Sequence, residues 1–228
     1  MPSALIIGAS RGLGLEFARQ YASDGWRVIG THRAAGDAAR LRDAGVEPLA
    51  LDVLDADAPK QLEAALAAAP EGKIDLAIVN AGIHGPRQVR IAHPPSVDDF
   101  DAVMHTNVLA PMRLLAVLAQ PLAAAKGTLA LVTSRMGSVS ATSTPNSLLY
   151  RVSKAAENMV AKAAHVELSP SGIRVLALHP GWVRTDMGGP NADVALEDSV
   201  RGMRRVLGDT RSYHGGSFLD YRGEAIAW

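Results

Sequence analysis

The chain has no cysteine among its 228 residues, so disulfides and thiolate chemistry are excluded. The chain also has no excess of positive or negative charge, because 23 basic residues balance 23 acidic ones. This balance gives no electrostatic reason to expect nucleic acid or an anionic membrane as a partner. The seven histidines show no metal-ligand spacing, and we predict no metal site. A small molecule is therefore the expected partner.

Apolar stretches long enough to cross a bilayer are also not evident in the sequence. The first strand pattern begins at Ser3 or Ala4, which leaves no room for a signal peptide. We therefore expect a cytoplasmic protein that does not associate with membranes. No linker-like stretch divides the chain, and its length suits one core, so residues 1–228 are predicted to form a single domain.

Apolar runs of strand length alternate with longer segments of helical period, which is typical of an α/β protein. We predict a Rossmann fold, with a doubly wound, mainly parallel seven-stranded sheet and helices on both faces. The predicted strands are Ala4–Gly8, Arg27–Thr31, Glu47–Leu51, Ile74–Val79, Thr128–Thr133, Arg174–Leu178 and Ser217–Leu219. The predicted helices are Gly12–Ser23, Ala35–Ala44, Pro59–Ala68, Val97–Ala124, Leu148–Leu168 and Leu196–Leu207. Loops are predicted at Gly82–Pro95 and Ser138–Ser147, both after strands, where such sheets bind ligands.

A glycine-rich turn joins the first predicted strand to the first helix. Absent side chains at Gly8, Gly12 and Gly14 let backbone N–H groups approach a pyrophosphate, and the helix N-terminus favours negative charge. The turn also contains Ser10, Arg11 and Leu13, which we place at the cofactor. Its glycine spacing differs from the common G-x-G-x-x-G pattern, so the motif alone is weak.

The second predicted strand ends without an acidic residue. In dinucleotide folds an Asp or Glu about 20 residues after the glycines binds the ribose hydroxyls of NAD. Here Thr31, His32 and Arg33 occupy that place. Arg33, aided by Arg11, can offer planar cationic donors to a 2′-phosphate. This predicts NADP(H) in preference to NAD(H), with solvated surface arginines as the alternative interpretation.

Several further motifs occur together along the chain, and with them it resembles the short-chain dehydrogenases/reductases over nearly its whole length. The matching motifs are Gly8-x-x-x-Gly12-x-Gly14, Leu51-Asp52-Val53, Asn80-Ala81-Gly82, Asn107, Ser134, Tyr150-x-x-x-Lys154 and Pro180-Gly181-x-Val183-x-Thr185. The stretches Ser134–Ser138 and His179–Met187 are similar to the branch that contains bacterial C-factor and the sniffer-type carbonyl reductases.

The resemblance implies roles for four catalytic residues. Tyr150 donates a proton to a carbonyl oxygen as hydride arrives, and Lys154 tunes Tyr150 and binds the nicotinamide ribose, so both also belong to the cofactor site. Four residues apart on a predicted helix, they share one face. Ser134 orients the substrate oxygen; Ser138 is its rival, because 16 residues separate Ser134 from Tyr150. Asn107 holds a water that links Lys154 to solvent.

The resemblance also places other residues at the cofactor. Asp52 would meet the adenine ring, and Val53 is also placed at the cofactor. For Asp52 and for Asn80-Ala81-Gly82, ordinary turn chemistry at a strand end is the alternative interpretation. Further cofactor positions are Asn80, Ala81, Gly82, Pro180, Val183 and Thr185. Val79 departs from the usual Asn-Asn-Ala-Gly motif. Four loop residues are interpreted as solvent-exposed: His84, Arg87, His93 and Trp182. The alternative is that they face the substrate.

These observations predict an NADP(H)-dependent carbonyl reductase or alcohol dehydrogenase that acts on a small carbonyl or alcohol substrate. A regulatory protein of the C-factor type, which binds dinucleotide with little turnover, is the alternative. Dehydratases and epimerases on related folds usually carry a larger substrate region than this chain has room for. The family commonly forms homodimers or homotetramers through two long helices, and a monomer stays open, because an apolar core face and an interface have the same pattern.

Overall fold

The strands form one sheet, as the alternation of apolar runs predicts. The computed structural model describes residues 1–67 and 72–228. Its strands are β1 Ser3–Ile7, β2 Arg27–His32, β3 Glu47–Ala50, β4 Leu76–Val79, β5 Thr128–Val132, β6 Arg174–His179 and β7 Ser217–Asp220. Their order is β3-β2-β1-β4-β5-β6-β7, and every neighbouring pair is parallel. The predicted doubly wound, seven-stranded sheet is confirmed.

The helices cover both faces of this sheet. They are α1 Gly12–Ser23, α2 Asp37–Asp43, α3 Ala58–Ala67, α4 Val97–Met104, α5 Ala110–Ala125, α6 Leu148–Leu168 and α7 Leu196–Gly208. Each predicted helix therefore has a counterpart, with ends that differ by up to two residues, except the one predicted over 97–124. The predicted end of the third helix, Ala68, lies outside the described residues.

Side chains of every strand except β3 alternate between two hydrophobic cores. Along β1, Leu5 and Ile7 point into the core that contains α3, α5 and α6, whereas Ala4 and Ile6 point into the core with α1, α2 and α7. All four are fully buried. A parallel sheet buried on both faces needs such continuous apolar strands.

Two predictions about these elements were wrong. The helix expected over 97–124 is interrupted by a π-helical turn at His105–Leu109. Strand β4 begins at Leu76 rather than Ile74, because the Ile74 N–H donates to the Pro121 carbonyl of α5 at 3.2 Å instead of to a neighbouring strand.

The stretch Val97–Ala125 also corrects an expectation about apolar runs. This helical stretch is long and apolar enough to cross a membrane, judged by length and composition only. The expectation that every apolar stretch is too short or too interrupted to do so was therefore wrong. In the fold, however, Leu114, Leu118 and Leu122 of α5 are buried in the core that includes α3 and α6. Burial against a sheet is a sufficient reason for this apolar composition.

The order of the strands reverses between β1 and β4. Ligands of open α/β sheets bind beyond the carboxyl ends of the strands at such a reversal. The glycine turn follows β1, and Asn80-Ala81-Gly82 follows β4. The segments that carry the predicted site residues therefore leave the sheet at one edge.

Candidate active site

The glycine turn after β1 is held tightly by its neighbours. Gly8 has a φ of +84°, and its N–H donates to Thr31 Oγ1 at 2.8 Å. Asn80 Nδ2 donates to the Gly8 carbonyl oxygen at 2.8 Å. A Cβ on Gly14 would lie 2.0 Å from that oxygen, so only glycine lets α1 start so close to the strand. The turn presents the N-terminus of α1 at Gly12, where an anion is favoured.

A cavity of about 470 Å³ opens beside this turn. Four of its lining residues were predicted at the cofactor and come from three segments of the chain. The other two lining residues, Ala34 and Asp37, were not predicted. Its lining residues are Ser10, Arg11, Arg33, Ala34, Asp37 and Asp52. Arg11 and Arg33 therefore face one volume, as a 2′-phosphate site requires. Asp37 is an unforeseen acid there, but Arg40 Nη1 lies 3.7 Å from its carboxylate and so offsets part of its charge.

Asp52 and Val53 occupy different environments at the end of β3. Asp52 lines the cavity, and its Oδ1 also accepts a hydrogen bond from Leu54 N at 3.0 Å, which is the expected turn chemistry. The side chain of Val53 is buried in the hydrophobic core. Leu13 likewise packs against the core on the other face. Val53 can therefore meet a cofactor only through its backbone, whereas Leu13 is partly exposed.

The segment after β6 lies opposite the glycine turn. A Cβ on Gly12 would lie 3.8 Å from Thr185 Cγ2. Arg11 Nη1 reaches Asp186 Oδ2 at 3.0 Å, and both side chains are exposed. Thr185 Oγ1 accepts from Gly188 N at 3.1 Å, which shapes this loop. The beginning of the loop is held by a hydrogen bond in which Ser199 Oγ donates to the Pro180 carbonyl oxygen at 2.6 Å.

Val183, also predicted at the cofactor, is nearly fully buried and forms an isolated bridge with Val194. The two sides of the cleft are thus the glycine turn and the 180–188 loop. The predicted cofactor residues Gly8, Gly12, Pro180 and Thr185 lie on these two sides.

Asn107 connects the segment after β4 to α6. It is fully buried in the π-helical turn. Its Nδ2 donates to the Ile83 carbonyl at 2.8 Å and to Ser153 Oγ at 3.0 Å, and its Oδ1 accepts from Ile83 N at 2.9 Å. π-Helical turns occur often at functional sites, and here the turn aims an amide inwards. A Cβ on Gly82 would lie 3.3 Å from Asn107 Oδ1, so this oxygen lies beside a predicted cofactor residue.

Tyr150 and Lys154 share one buried side of α6, as their spacing predicts. They are 8% and 4% exposed, and Lys154 Nζ lies 5.8 Å from the centre of the Tyr150 ring. Burial lowers the pKa of Lys154, but the Glu157 carboxylate and the Tyr150 phenol outweigh it, so the pKa is raised and the charge is retained.

Ser134 follows β5 and directly precedes a short helix that contacts α6. Its Oγ accepts a hydrogen bond from Met136 N at 3.1 Å, which leaves the hydroxyl proton available to a ligand. The short 3-10 helix that follows, Arg135–Gly137, touches α6, because a Cβ on Gly137 would lie 2.6 Å from the Lys154 carbonyl carbon. Ser134 is therefore held near Lys154 by backbone contact.

Ser138, the rival serine, is engaged elsewhere. Its hydroxyl donates to the Ala227 carbonyl at 2.6 Å and accepts from Ala141 N at 3.2 Å. It is 1% exposed. Ser138 thus fixes the C-terminal segment to the loop after β5, and its hydroxyl has no free proton for a substrate. These contacts favour Ser134 as the substrate-orienting serine.

Two further side chains lie at the site: His84, for which a position facing the substrate was the alternative interpretation, and Glu157, which the sequence analysis did not single out. The His84 ring stacks on the Tyr150 ring, with centroids 4.4 Å apart and planes at 14°. Burial lowers the pKa of His84, so it stays neutral near pH 7. Glu157 is fully buried and holds Lys154 Nζ at 2.6 Å. The spacing of Lys154 and Glu157 was visible in the sequence, whereas the path of the loop that carries His84 was not.

The sheet order and the glycine turn at the strand reversal define an α/β protein with a Rossmann-like fold. The chain belongs to the short-chain dehydrogenase/reductase family of oxidoreductases, and the family model described as short chain dehydrogenase matches residues 2–194. It is 40% identical to C-signal of Myxococcus xanthus over 160 residues, which cover 69% of this chain and 94% of that protein.

Two solved structures are also similar over the whole chain. A short-chain dehydrogenase/reductase from Burkholderia multivorans with bound NADP has a TM-score of 0.89 and 33% identity, and the match covers 100% of this chain and 99% of that one. The carbonyl reductase Sniffer of D. melanogaster has a TM-score of 0.92 and 27% identity, with 100% of both chains covered. The predicted branch of the family is confirmed by these relatives.

Proposed function

We propose that the protein is an NADP(H)-dependent oxidoreductase that transfers hydride between nicotinamide and a carbonyl or alcohol substrate. The observation that carries this proposal is the buried Tyr150–Lys154 pair, with Nζ 5.8 Å from the phenol ring, beside the Ser134 segment. A phenol, an ammonium and a hydroxyl at one place can bind, orient and protonate a developing alkoxide.

The cofactor is NADP(H), in preference to NAD(H). The residues present fit it: the glycine turn leaves backbone room for a pyrophosphate, and the cavity beside it contains Arg11 and Arg33. The relative from Burkholderia multivorans contains NADP. When bound, NADPH supplies the hydride that reduces the carbonyl carbon. The chain would hold it through Gly8, Ser10, Gly12, Gly14 and the segments 80–82 and 180–185.

The side chains of the protein handle the oxygen of the substrate. Ser134 donates a hydrogen bond to the carbonyl oxygen and orients it towards Tyr150. Tyr150 gives its phenolic proton to that oxygen as negative charge develops there, and it becomes a phenolate. Lys154 stabilises this phenolate through its positive charge and also binds the nicotinamide ribose. Asn107 holds a water that links Lys154 to solvent, and the proton returns by this route.

The organisation of the protein follows the same proposal. Residues 1–228 form one NADP-binding domain of a soluble, cytoplasmic protein with a small-molecule partner and without nucleic acid or membrane partners. Pairing into homodimers or homotetramers through α5 and α6 is supported by exposed apolar side chains on these helices, among them Met112 and Met159, which are 55% and 68% exposed.

A second candidate function is a regulatory protein that binds dinucleotide with little turnover. The observation that favours it is the 40% identity with C-signal. The buried Lys154 and Tyr150 favour the enzyme, because a protein that only binds dinucleotide has no need of an ammonium held beside a phenol at the cost of burial.

Carbonyl-dependent oxidation of NADPH tests the proposal directly. The purified protein is given NADPH and a panel of aldehydes and ketones, and the loss of NADPH absorbance is followed. We expect turnover with several substrates of the panel. Tight NADPH binding without turnover of any carbonyl, or of alcohols with NADP in the reverse direction, would favour the regulatory function.

The two serines after β5 should behave differently on removal of the hydroxyl. Ser134→Ala should lower kcat/KM about 100-fold, because the substrate oxygen loses a donor, and should lower the free energy of unfolding by about 1 kcal/mol, because the Met136 N–H loses its acceptor. Ser138→Ala should lower the free energy of unfolding by about 1 to 2 kcal/mol, because Ala227 loses its hydrogen-bond donor, while activity is kept. Chemical denaturation and steady-state kinetics measure both effects. A larger kinetic loss in Ser138→Ala would reverse the assignment.

A further inference from the structure

Glu157 is a buried carboxylate directly beside the proton-transfer pair. It lies three residues after Lys154 on α6 and is fully buried. Its Oε2 accepts a hydrogen bond from Lys154 Nζ at 2.6 Å, whereas its Oε1 has no hydrogen-bond partner among the described residues. Burial of a carboxylate with an unused oxygen costs free energy, and the ion pair with Lys154 offsets this cost. The role of Glu157 is therefore tied to the buried ammonium of Lys154.

The contacts of Lys154 show what this carboxylate does. An ammonium has three donors. One is directed to Glu157 Oε2 and a second to the Val132 carbonyl at 3.1 Å. The group lies at the cleft, since a Cβ on Gly82 would lie 3.5 Å from Nζ. Glu157 and Val132 thus hold two of the three N–H donors of the ammonium. The third donor is left for the cofactor.

We propose that Glu157 is a positioning residue that fixes the Lys154 ammonium and weakens its field at Tyr150, so that it sets the pH at which the Tyr150–Lys154 pair loses a proton. The inference rests on the proposed function, in which this pair protonates the substrate. With the carboxylate present, Tyr150 faces an ion pair of no net charge. Without it, Tyr150 faces a full positive charge, and its phenol ionises more readily.

Other groups around the pair do not supply this negative charge. The charged and titratable groups that act on Lys154 are Glu157 and Tyr150, and Lys154 is the one that acts on Glu157. From the loop after β4, His84 stacks on Tyr150, and burial lowers the pKa of its ring, which keeps it neutral over the range that matters. Strand β5 and the π-helical turn contribute the Val132 carbonyl and the Asn107 amide, which carry no charge.

Glu157→Gln tests the inference, because it removes the charge and keeps the shape. In the reductive direction activity falls as pH rises through the ionisation of the pair. We expect the basic limb of kcat/KM to move to lower pH by about one pH unit in Glu157→Gln. Glu157→Met, which fills the same volume with an apolar chain, should show the same displacement and serves if Glu157→Gln folds poorly.

Glu16→Gln is the matched control. Glu16 is also a buried carboxylate, but it pairs with Arg19 on α1. We expect it to leave the pH profile in place. An unchanged basic limb in both Glu157 variants, or a displacement to higher pH, would overturn the inference. So would an equal displacement in Glu16→Gln.

A second readout does not need the cofactor. The ultraviolet absorbance of ionised tyrosine is titrated in the cofactor-free protein, and the Tyr150 signal is obtained by subtraction of the matching protein that carries Tyr150→Phe. The Tyr150 midpoint should fall by about one pH unit in Glu157→Gln. If wild-type protein turned over no carbonyl, the proposed function would fail, but this midpoint would still decide the role of Glu157: an unchanged or higher one would overturn it.

Discussion

Tyr150→Phe should reduce carbonyl turnover by about a factor of 1,000 or more, because general acid–base catalysis contributes about 10² to 10⁴ and the phenol is the proton donor of the proposed reaction. The phenyl ring keeps the stacking contact with His84 and the packing of α6. Binding of NADPH, measured by its fluorescence, should therefore change little. The combination of lost turnover and retained binding separates a catalytic defect from a folding defect.

Tyr21→Phe is a matched control for this experiment. Tyr21 is buried on α1, in the core on the other face of the sheet, where burial raises the pKa of its phenol to about 12. Removal of that hydroxyl should leave kcat within a small factor of the wild-type value. If Tyr150→Phe kept the activity of the control, the phenol would not be the proton donor, and a biological effect that ignores the change would favour the regulatory function.

Arg33→Ala should lower kcat/KM for NADPH by about ten- to a hundredfold and leave kcat/KM for NADH nearly unchanged. One charge-assisted contact to a 2′-phosphate is worth about 1.5 to 3 kcal/mol, which is this factor in affinity. Arg33 lines the cavity with Arg11, so the arginine that remains should keep part of the preference. Kinetics with the two cofactors measure the ratio.

Arg42→Ala controls for the loss of a positive charge near this site. Arg42 is an exposed residue of α2 outside the cavity lining. We expect the ratio of the two cofactor efficiencies to stay as in the wild type. An equal loss for NADPH and NADH in Arg33→Ala would show that this guanidinium does not recognise the 2′-phosphate.

The sequence was sufficient for the elements that repeat a simple pattern. Buried strands of a parallel sheet require continuous apolar runs, and the seven strands follow from them. The segment from Val97 to Ala125 shows where this reasoning ends. Its composition favours helix throughout, but tertiary contacts of Asn107 with Ile83 and Ser153 stabilise a π-helical turn inside it. Such contacts between distant segments do not leave a periodic signal.

The sequence predicts those parts of the candidate site in which the spacing of a motif determines which side chains lie together. Tyr150 and Lys154 meet because four residues bring side chains together on a helix. The choice between Ser134 and Ser138 needed the path of the C-terminal segment, which takes the hydroxyl of Ser138. Glu157 had a visible spacing from Lys154, but a charged residue on a helix is usually solvated, and only the fold shows it buried.

The transfer of deuterium tests the proposed hydride transfer most directly. NADPH that carries deuterium at the transferring carbon of nicotinamide is incubated with the protein and an aldehyde, and the alcohol is analysed by mass spectrometry. We expect one deuterium on the carbinol carbon in wild-type protein and at most a trace of product with Tyr150→Phe. A wild-type protein that binds NADPH but forms no deuterated alcohol from any carbonyl of a broad panel would contradict the proposed function.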